Sequence, residues 1–127
     1  MKRRTLILSA MIITAATWSS AAFPSSGGSA AKGKVAYQDC AACHGTRGQG
    51  SDAAPNIRNM VGRKVAGDPG FAYSGALRRH GGVWTEDRLV AFLLRPQATV
   101  KGNRMPYDGA ASPAQAQDLV AYLKTMK

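Results

Sequence analysis

The spacing of apolar positions predicts a first helix from Lys32 to Cys43. Val35 and Ala36 give this segment an apolar side and Tyr37 adds packing area, while the polar positions around them are expected to face water. A polar, glycine-rich loop follows directly, which is typical of the end of a helix. The segment is therefore predicted to be an amphipathic helix that stops at a loop.

A second amphipathic pattern starts at Thr85. This residue is a suitable N-cap, and the two acidic residues behind it would interact favourably with the helix dipole. Leu89, Phe92 and Leu93 line one face of the predicted helix. Pro96 is expected to end it, because proline interrupts helical hydrogen bonding.

The C-terminal segment is predicted to form the last helix. Ser112, with Gln115 three residues later, forms a capping box, and Pro113 takes the first helical position. Its expected buried stripe consists of Leu119, Val120, Leu123 and Met126. One short helix is expected within 71–79 and none from 97 to 111. With no repeat and no convincing strand, the predicted fold class is all-α, with three to five helices and long loops.

The N-terminus has the order of a secretory signal peptide. A basic start at 2–4 precedes an apolar run, and small residues follow that run, so cleavage is expected after Ala22. Residues 1–22 are therefore predicted to direct export to the periplasm. The alternative is an uncleaved segment, Thr5 to Phe23, that anchors the protein to the inner membrane.

The remaining chain divides into a flexible Ser/Gly/Ala-rich lead-in at 23–31 and one domain at 32–127. Seventeen Lys and Arg against seven Asp and Glu give a formal charge of +10. Such a balance suits an acidic partner surface. No DNA- or RNA-binding motif is present, and the export signal argues against nucleic acid as a partner.

The central motif is Cys40-Ala41-Ala42-Cys43-His44, a C-x-x-C-H run of the kind that attaches c-type haem. In a helical turn Cys40, Cys43 and His44 lie at i, i+3 and i+4 and share one face. Two thiols there can form thioethers with the vinyl groups of a haem, and His44 is then placed beneath the iron as an axial ligand. A haem would also give the long loops an apolar surface to pack on.

Three alternatives to haem attachment exist for this motif. A zinc site needs about four N or S ligands, and the chain holds only two Cys and, with His80, two His. A thioredoxin-like redox pair requires a βαβ pattern that is not visible. A structural disulfide would leave His44 without a role, so haem attachment is the favoured interpretation.

Further short motifs follow the haem motif in a fixed order. They are Pro55-Asn56-Ile57, Gly62-Arg63-Lys64, Gly70-Phe71-Ala72-Tyr73, Trp84, Pro96, Met105 and Leu119-Val120-Ala121-Tyr122-Leu123. With these pieces, the chain from about Lys32 to the C-terminus resembles a class I cytochrome c, nearest to the medium-length mitochondrial and bacterial forms. The resemblance implies the cytochrome c fold around one haem c, attached through thioethers to Cys40 and Cys43.

The resemblance also implies roles for single residues. Met105 resembles the second axial ligand, on the face opposite His44. Pro55 resembles the residue whose carbonyl accepts the Nδ1 proton of the histidine and so fixes its ring. The residues similar to the family's propionate-binding groups are Arg63, Tyr73 and Trp84.

Two positions depart from the mitochondrial pattern. Phe92 stands where those proteins often have a tyrosine that approaches the methionine sulfur. Leu77 stands where they often have an asparagine that holds an internal water. Both changes are expected to make the haem pocket less polar.

The function implied by the resemblance is that of an exported, monomeric, monohaem carrier of one electron, not an enzyme. Its implied partners are redox proteins with acidic docking surfaces, such as an oxidase, a reductase, a dehydrogenase or a photosynthetic reaction centre. The basic residues expected to form a docking ring are Lys34, Arg47, Lys101 and Arg104. Two alternatives stay open: a fixed cytochrome subunit of one periplasmic dehydrogenase or oxidase, and a haem gas sensor or peroxidase in which Met105 is displaced.

Overall fold

The structure is a computed structural model that describes residues 27–127. It contains six helices: α1 Ala30–Ala36, α2 Gln38–His44, α3 Gly75–His80, α4 Glu86–Leu94, α5 Pro96–Thr99 and α6 Pro113–Leu123. Within the described residues, β-pairing is limited to an isolated antiparallel bridge between Lys64 and Val83. The all-α prediction is confirmed. The predicted signal peptide lies outside the described residues, and no helix within them is long and apolar enough to cross a membrane.

The N-terminal helix differs from its prediction at two points. It begins at Ala30 rather than Lys32, because the Ser29 side chain caps it by accepting a hydrogen bond from the Lys32 N–H (3.3 Å). Residues 30–31, which the sequence assigns to the lead-in, are thus helical in the structure. The helix is also divided at Tyr37, whose ring is almost fully buried. Counting α1 and α2 as one helix was wrong.

The segment after α4 also differs from its prediction. Pro96 does end α4, but it is at the same time the first residue of α5. Proline is tolerated there because the first helical N–H has no intrahelical partner. Expecting no helix from 97 onward was therefore wrong for 97–99. With α5 added and α1 and α2 separate, the described chain has more helices than predicted.

The terminal helices α1 and α6 cross in close contact. Gly33 is buried at the crossing, where a Cβ atom would overlap the carbonyl oxygen of Asp118. The Ser29 N–H donates to the Asp118 carboxylate over 2.6 Å. Beside the crossing, the rings of Tyr37 and Tyr122 pack edge to face with centroids 5.2 Å apart. Close backbone approach and aromatic packing thus join the two ends of the domain.

Helix α4 packs on α6 and completes the core. Thr85 caps α4 as predicted, accepting from the Arg88 N–H at 3.2 Å. Ser112 caps α6, but the Gln115 side chain accepts from the Ala111 N–H rather than from Ser112 itself. The predicted stripe of Leu119, Val120, Leu123 and Met126 is confirmed as buried, together with Leu89, Phe92 and Leu93. These side chains form one wall of the cavity described next, or pack behind it.

Candidate functional site

A cavity of about 790 Å³ lies between α2, the loops, α4 and α6. Helix α2 contributes one side of it, the loops on either side of Trp84 contribute two more, and α6 lies behind. It brings together every residue that the sequence predicts for the cofactor site, namely Cys40, Cys43, His44, Pro55, Arg63, Tyr73, Trp84 and Met105. Residues from both halves of the chain therefore converge on one site.

Helix α2 presents the C-x-x-C-H motif to this cavity, as its helical spacing predicts. Both cysteines are free thiols rather than partners in a disulfide. Burial, together with the nearby Asp39 and Cys43, raises the pKa of the Cys40 thiol to about 11. Within residues 27–127 no group of three or more His, Cys, Asp or Glu side chains is arranged to hold a metal ion. A zinc site would therefore lack ligands in this part of the chain.

The orientation of His44 is set by the loop that follows α2. Its Nδ1 lies 2.8 Å from the carbonyl oxygen of Pro55. Because a carbonyl can only accept, Nδ1 carries the proton and Nε2 is left with its lone pair. Burial lowers the pKa of His44, and the bond to Pro55 opposes this shift. The imidazole is therefore held in the neutral tautomer that can ligate a metal through Nε2.

The loop that carries Met105 is held by Asn103, a residue that sequence reasoning missed. Asn103 is buried, and its Nδ2 donates to the carbonyl oxygens of Pro96 at 3.0 Å and Val100 at 2.9 Å. Its Oδ1 accepts the Met105 N–H at 3.0 Å. The Nδ2 group of Asn103 thus donates two hydrogen bonds and its Oδ1 accepts one, and together they tie α5 to the backbone of Met105. An asparagine in an aperiodic polar loop carries no sequence signal for this role.

Polar groups lie on the wall formed by the loops. Arg63 donates from Nη1 to the carbonyl oxygens of Asn56 at 2.8 Å and Arg58 at 3.0 Å, which leaves its other N–H donors for further acceptors. The Tyr73 hydroxyl accepts the Asp68 N–H at 3.2 Å and so keeps its own proton to donate. Burial raises the pKa of Tyr73, which keeps this phenol protonated at neutral pH.

Trp84 is held in place by a cation that the sequence did not single out. The guanidinium carbon of Arg88 lies 5.7 Å from the indole centroid. The same guanidinium donates to the carbonyl oxygens of Val83 at 2.7 Å and Gly81 at 2.9 Å. It therefore fixes both the ring and the turn before it. On the inner side, Trp84 packs against Phe92 with centroids 5.2 Å apart.

The remaining wall is largely apolar. Phe92 and Leu77, the two departures from the mitochondrial pattern, both line the cavity. Ile57 from a loop, with Leu89 and Leu93 from α4, adds further aliphatic surface. The wall therefore suits a large apolar ring on one side and carboxylates near Arg63 and Tyr73 on the other. This is the chemistry of haem with its two propionates.

An all-α domain with two free thiols and a neutral imidazole facing one apolar cavity defines a c-type haem protein. The family model for cytochrome c matches residues 30–127, and the chain belongs to the cytochrome c family. It is 37% identical to a cytochrome c2 of Agrobacterium tumefaciens over 100 residues, which is 76% of this chain and 90% of that relative. A cytochrome c2 of Rhodomicrobium vannielii is 34% identical over 120 residues, 91% of this chain and 92% of the relative.

The fold is also similar to a solved structure, that of cytochrome cH from Methylobacterium extorquens. The TM-score is 0.68 at 34% identity, with 77% of this chain and 99% of the other covered. Membership of the family makes this chain an electron carrier rather than an enzyme. It also makes the cofactor one covalently attached haem c, and Cys40 and Cys43 fit its C-x-x-C-H attachment motif. The predicted class and cofactor are thus confirmed.

Proposed function

We propose that this cytochrome is an exported carrier that passes single electrons between redox proteins, with His44 and Met105 as the two axial ligands of its haem iron. The observation that carries the proposal is the convergence of these two residues on one cavity. His44 comes from α2 and Met105 from the loop before α6, and both line the cavity with the two thiols. Two protein ligands would leave no open iron site for a substrate.

The ligands have complementary tasks. Haem supplies a one-electron Fe(II)/Fe(III) couple, and a methionine sulfur raises its potential. The Pro55 carbonyl holds the Nδ1 proton of His44 over 2.8 Å and fixes the imidazole plane. Asn103 holds the backbone of Met105. With both residues tethered in this way, little rearrangement of the protein would accompany a change of charge on the iron.

The polar wall is proposed to hold the two propionates. Arg63 has N–H donors left after binding the loop carbonyls, Tyr73 has its hydroxyl proton, and Trp84 has its indole N–H. These donors would balance two carboxylates at the edge of an apolar cavity. Their removal would raise the energy of the buried negative charge.

The ligand set is tested by replacing Met105 with alanine. The ferric wild-type protein should show the weak absorbance band at the red edge of the spectrum that marks methionine sulfur on low-spin haem, and its ferrous form should not bind CO at neutral pH. Met105→Ala should lose the band and bind CO. Met60 also lines the cavity, so Met60→Ala is a matched control that should keep the band. CO binding by wild type would instead favour the gas-sensor or peroxidase interpretation.

Export to the periplasm rests on the sequence of residues 1–22. Protein purified from a native source should begin at Phe23 and have the mass of the shortened chain plus one haem. An intact N-terminus in the membrane fraction would instead favour the inner-membrane anchor. A chain that co-purifies with one dehydrogenase or oxidase at high salt would contradict the diffusing carrier and support the fixed subunit.

A further inference from the structure

The peptide unit between Pro55 and Asn56 is hydrogen-bonded at both ends. Its carbonyl oxygen, which belongs to Pro55, lies 2.8 Å from Nδ1 of His44. Its N–H, which belongs to Asn56, donates to Oδ2 of Asp68 over 2.9 Å. A carboxylate and an imidazole on opposite sides of one peptide unit are therefore joined through it by two hydrogen bonds. Sequence reasoning did not single out Asp68.

The Asp68 carboxylate is held in place by its own loop. Its Oδ1 accepts the Gly70 N–H at 3.0 Å, and the Asp68 N–H donates to the Tyr73 hydroxyl over 3.2 Å. The hydrogen bonds from the Asn56 and Gly70 N–H groups, with the positive charge of Arg63, lower the pKa of this carboxyl group. Asp68 is therefore ionised at neutral pH, and both of its oxygens act only as acceptors.

One of these bonds belongs to an ordinary turn and the other does not. The bond from the Gly70 N–H, two residues on, is an Asx turn, which asparagine can also form. The bond from Asn56 crosses to a loop twelve positions earlier in the chain. An asparagine at 68 would have one oxygen for these two donors and would turn its NH₂ group toward one of them. The pair of N–H donors therefore suits a carboxylate.

The segment around this peptide unit is held by bonds that do not involve Asp68. The carbonyl oxygen of Asn56 accepts from Nη1 of Arg63 at 2.8 Å. The Ile57 N–H donates to the carbonyl oxygen of Gly48 over 2.8 Å. Loss of the Asp68 charge should therefore change the polarisation of the peptide unit more than its position.

We propose that Asp68 is a positioning residue that lowers the haem potential by acting on His44 through the Pro55–Asn56 peptide unit. Hydrogen bonds in a chain polarise one another, so a carboxylate that accepts the N–H makes the carbonyl oxygen a stronger acceptor. The stronger acceptor draws the Nδ1 proton away from the imidazole, and Nε2 becomes more basic. A more basic ligand favours Fe(III) over Fe(II). This inference rests on the proposed ligation of the iron by His44.

The first test is the midpoint potential of the holoprotein at about pH 7. Asp68→Asn should raise the equilibrium constant for reduction about threefold, which is about 30 mV at about 59 mV per tenfold change for one electron. Asp68→Glu keeps a carboxylate and should lie closer to wild type than Asp68→Asn does. An unchanged potential in Asp68→Asn would overturn the proposal.

Asp52→Asn is the matched control for the loss of one negative charge. Asp52 is an exposed carboxylate that lines the haem cavity but is not a partner of the peptide unit. Because solvent and salt screen an exposed charge, this variant should change the equilibrium constant less than about 1.5-fold. Equal shifts in Asp52→Asn and Asp68→Asn would show that charge alone acts through space, and would overturn the peptide route.

NMR of the ¹⁵N-labelled ferrous holoprotein follows the two hydrogen bonds directly. The Nδ1 proton of His44 and the amide proton of Asn56 should both move upfield in Asp68→Asn, because weaker hydrogen bonds deshield a proton less. Neither should move in Asp52→Asn. A changed potential with an unmoved Nδ1 proton would overturn the proposal. If Asp68→Asn yields no holoprotein, Asp68→Ser, which also removes the charge, gives the same comparison.

The red-edge band separates this proposal from the proposed function. A wild-type protein without the band, or one that binds CO, would contradict the ligand set and the carrier function. A wild-type protein with the band, whose potential and Nδ1 proton do not respond to Asp68→Asn, would contradict the role of Asp68 alone.

Discussion

Replacement of Asn103 should loosen the methionine loop in a way that depends on pH. Asn103→Ala removes two hydrogen bonds donated to Pro96 and Val100 and one accepted from Met105. Asn103→Asp keeps the acceptor for the Met105 N–H but places a carboxylate oxygen against the two carbonyls. Asn103→Ala therefore reports the loss of the whole side chain, whereas Asn103→Asp reports the loss of the bonds donated to Pro96 and Val100.

The loss of stability in Asn103→Ala depends on which hydrogen bonds the three partner groups keep. The carbonyl of Pro96 still accepts the Val100 N–H at 2.9 Å, and that of Val100 still accepts the Asn103 N–H at 3.1 Å. The Met105 N–H has no second acceptor among the hydrogen bonds of residues 27–127. With each net hydrogen bond contributing about 1 kcal/mol, Asn103→Ala should lower the free energy of unfolding by about 3 kcal/mol.

For Asn103→Asp the sign of the pH dependence is fixed by the surroundings. Burial and the facing carbonyl dipoles disfavour the carboxylate, so the pKa of the introduced acid is raised in the folded protein above about 3.9. The protonated acid can donate to one carbonyl and accept from Met105. Stability should therefore be near that of wild type at low pH and should be lost as the pH rises through the raised folded pKa.

The assay is guanidinium unfolding of the ferric holoprotein at about pH 5 and about pH 8, together with titration of the red-edge band. Asn103→Asp should lose more stability at the higher pH, and its band should disappear at lower pH than in wild type. Asn103→Ala should show the same deficit at both values. If Asn103→Asp shows no extra loss at high pH, the hydrogen bonds to Pro96 and Val100 are not what holds the loop.

Three further predictions concern the core and the tryptophan. Burial raises the pKa of Tyr37 to about 12. The stability that its neutral phenol contributes should therefore be complete below about pH 10 and be lost as the pH rises toward 12. Unfolding measurements across that range should show this pH dependence in wild type and not in Tyr37→Phe. Gly33→Ala should destabilise the protein by about 2 kcal/mol, since overlap with the Asp118 carbonyl outweighs the better helix propensity of alanine; thermal unfolding of the holoprotein measures it. Arg88→Met should cost about 2 kcal/mol through the lost contact with Trp84 and the lost carbonyl bonds, and Arg88→Lys should cost less; equal stability of all three proteins in guanidinium would contradict this.

The parts of the fold that could be predicted are those with a local physical signal. The spacing of Leu119, Val120 and Leu123 places them on one helix face whatever they pack against, and they are buried. The C-x-x-C-H motif needs only a helical turn to gather its three side chains. Capping by Thr85 likewise depends on its own sequence neighbourhood.

What could not be predicted depends on contacts between distant residues. Tyr37 interrupts the first helix where its ring is buried against Tyr122, a residue whose position is set by the rest of the fold. Asn103 gains its role only because α5 forms and turns two carbonyls toward it. Arg104 joins the methionine loop to the segment before α3 through a bond to the Ala72 carbonyl, 32 positions earlier. None of these contacts leaves a periodic pattern in the sequence.

The crossing of α1 and α6 bears on when this domain can fold during its synthesis. Ser29 and Asp118, which hydrogen-bond at the crossing, are 89 residues apart in the chain. At about 5–20 residues per second, a ribosome needs on the order of 4–18 s to make the second after the first. Throughout that interval α1 lacks the helix that covers it, and the neighbouring Cys40 and Cys43 stay outside any closed core. The order of elements along the chain thus keeps the segment around both thiols open until the last helix has been made.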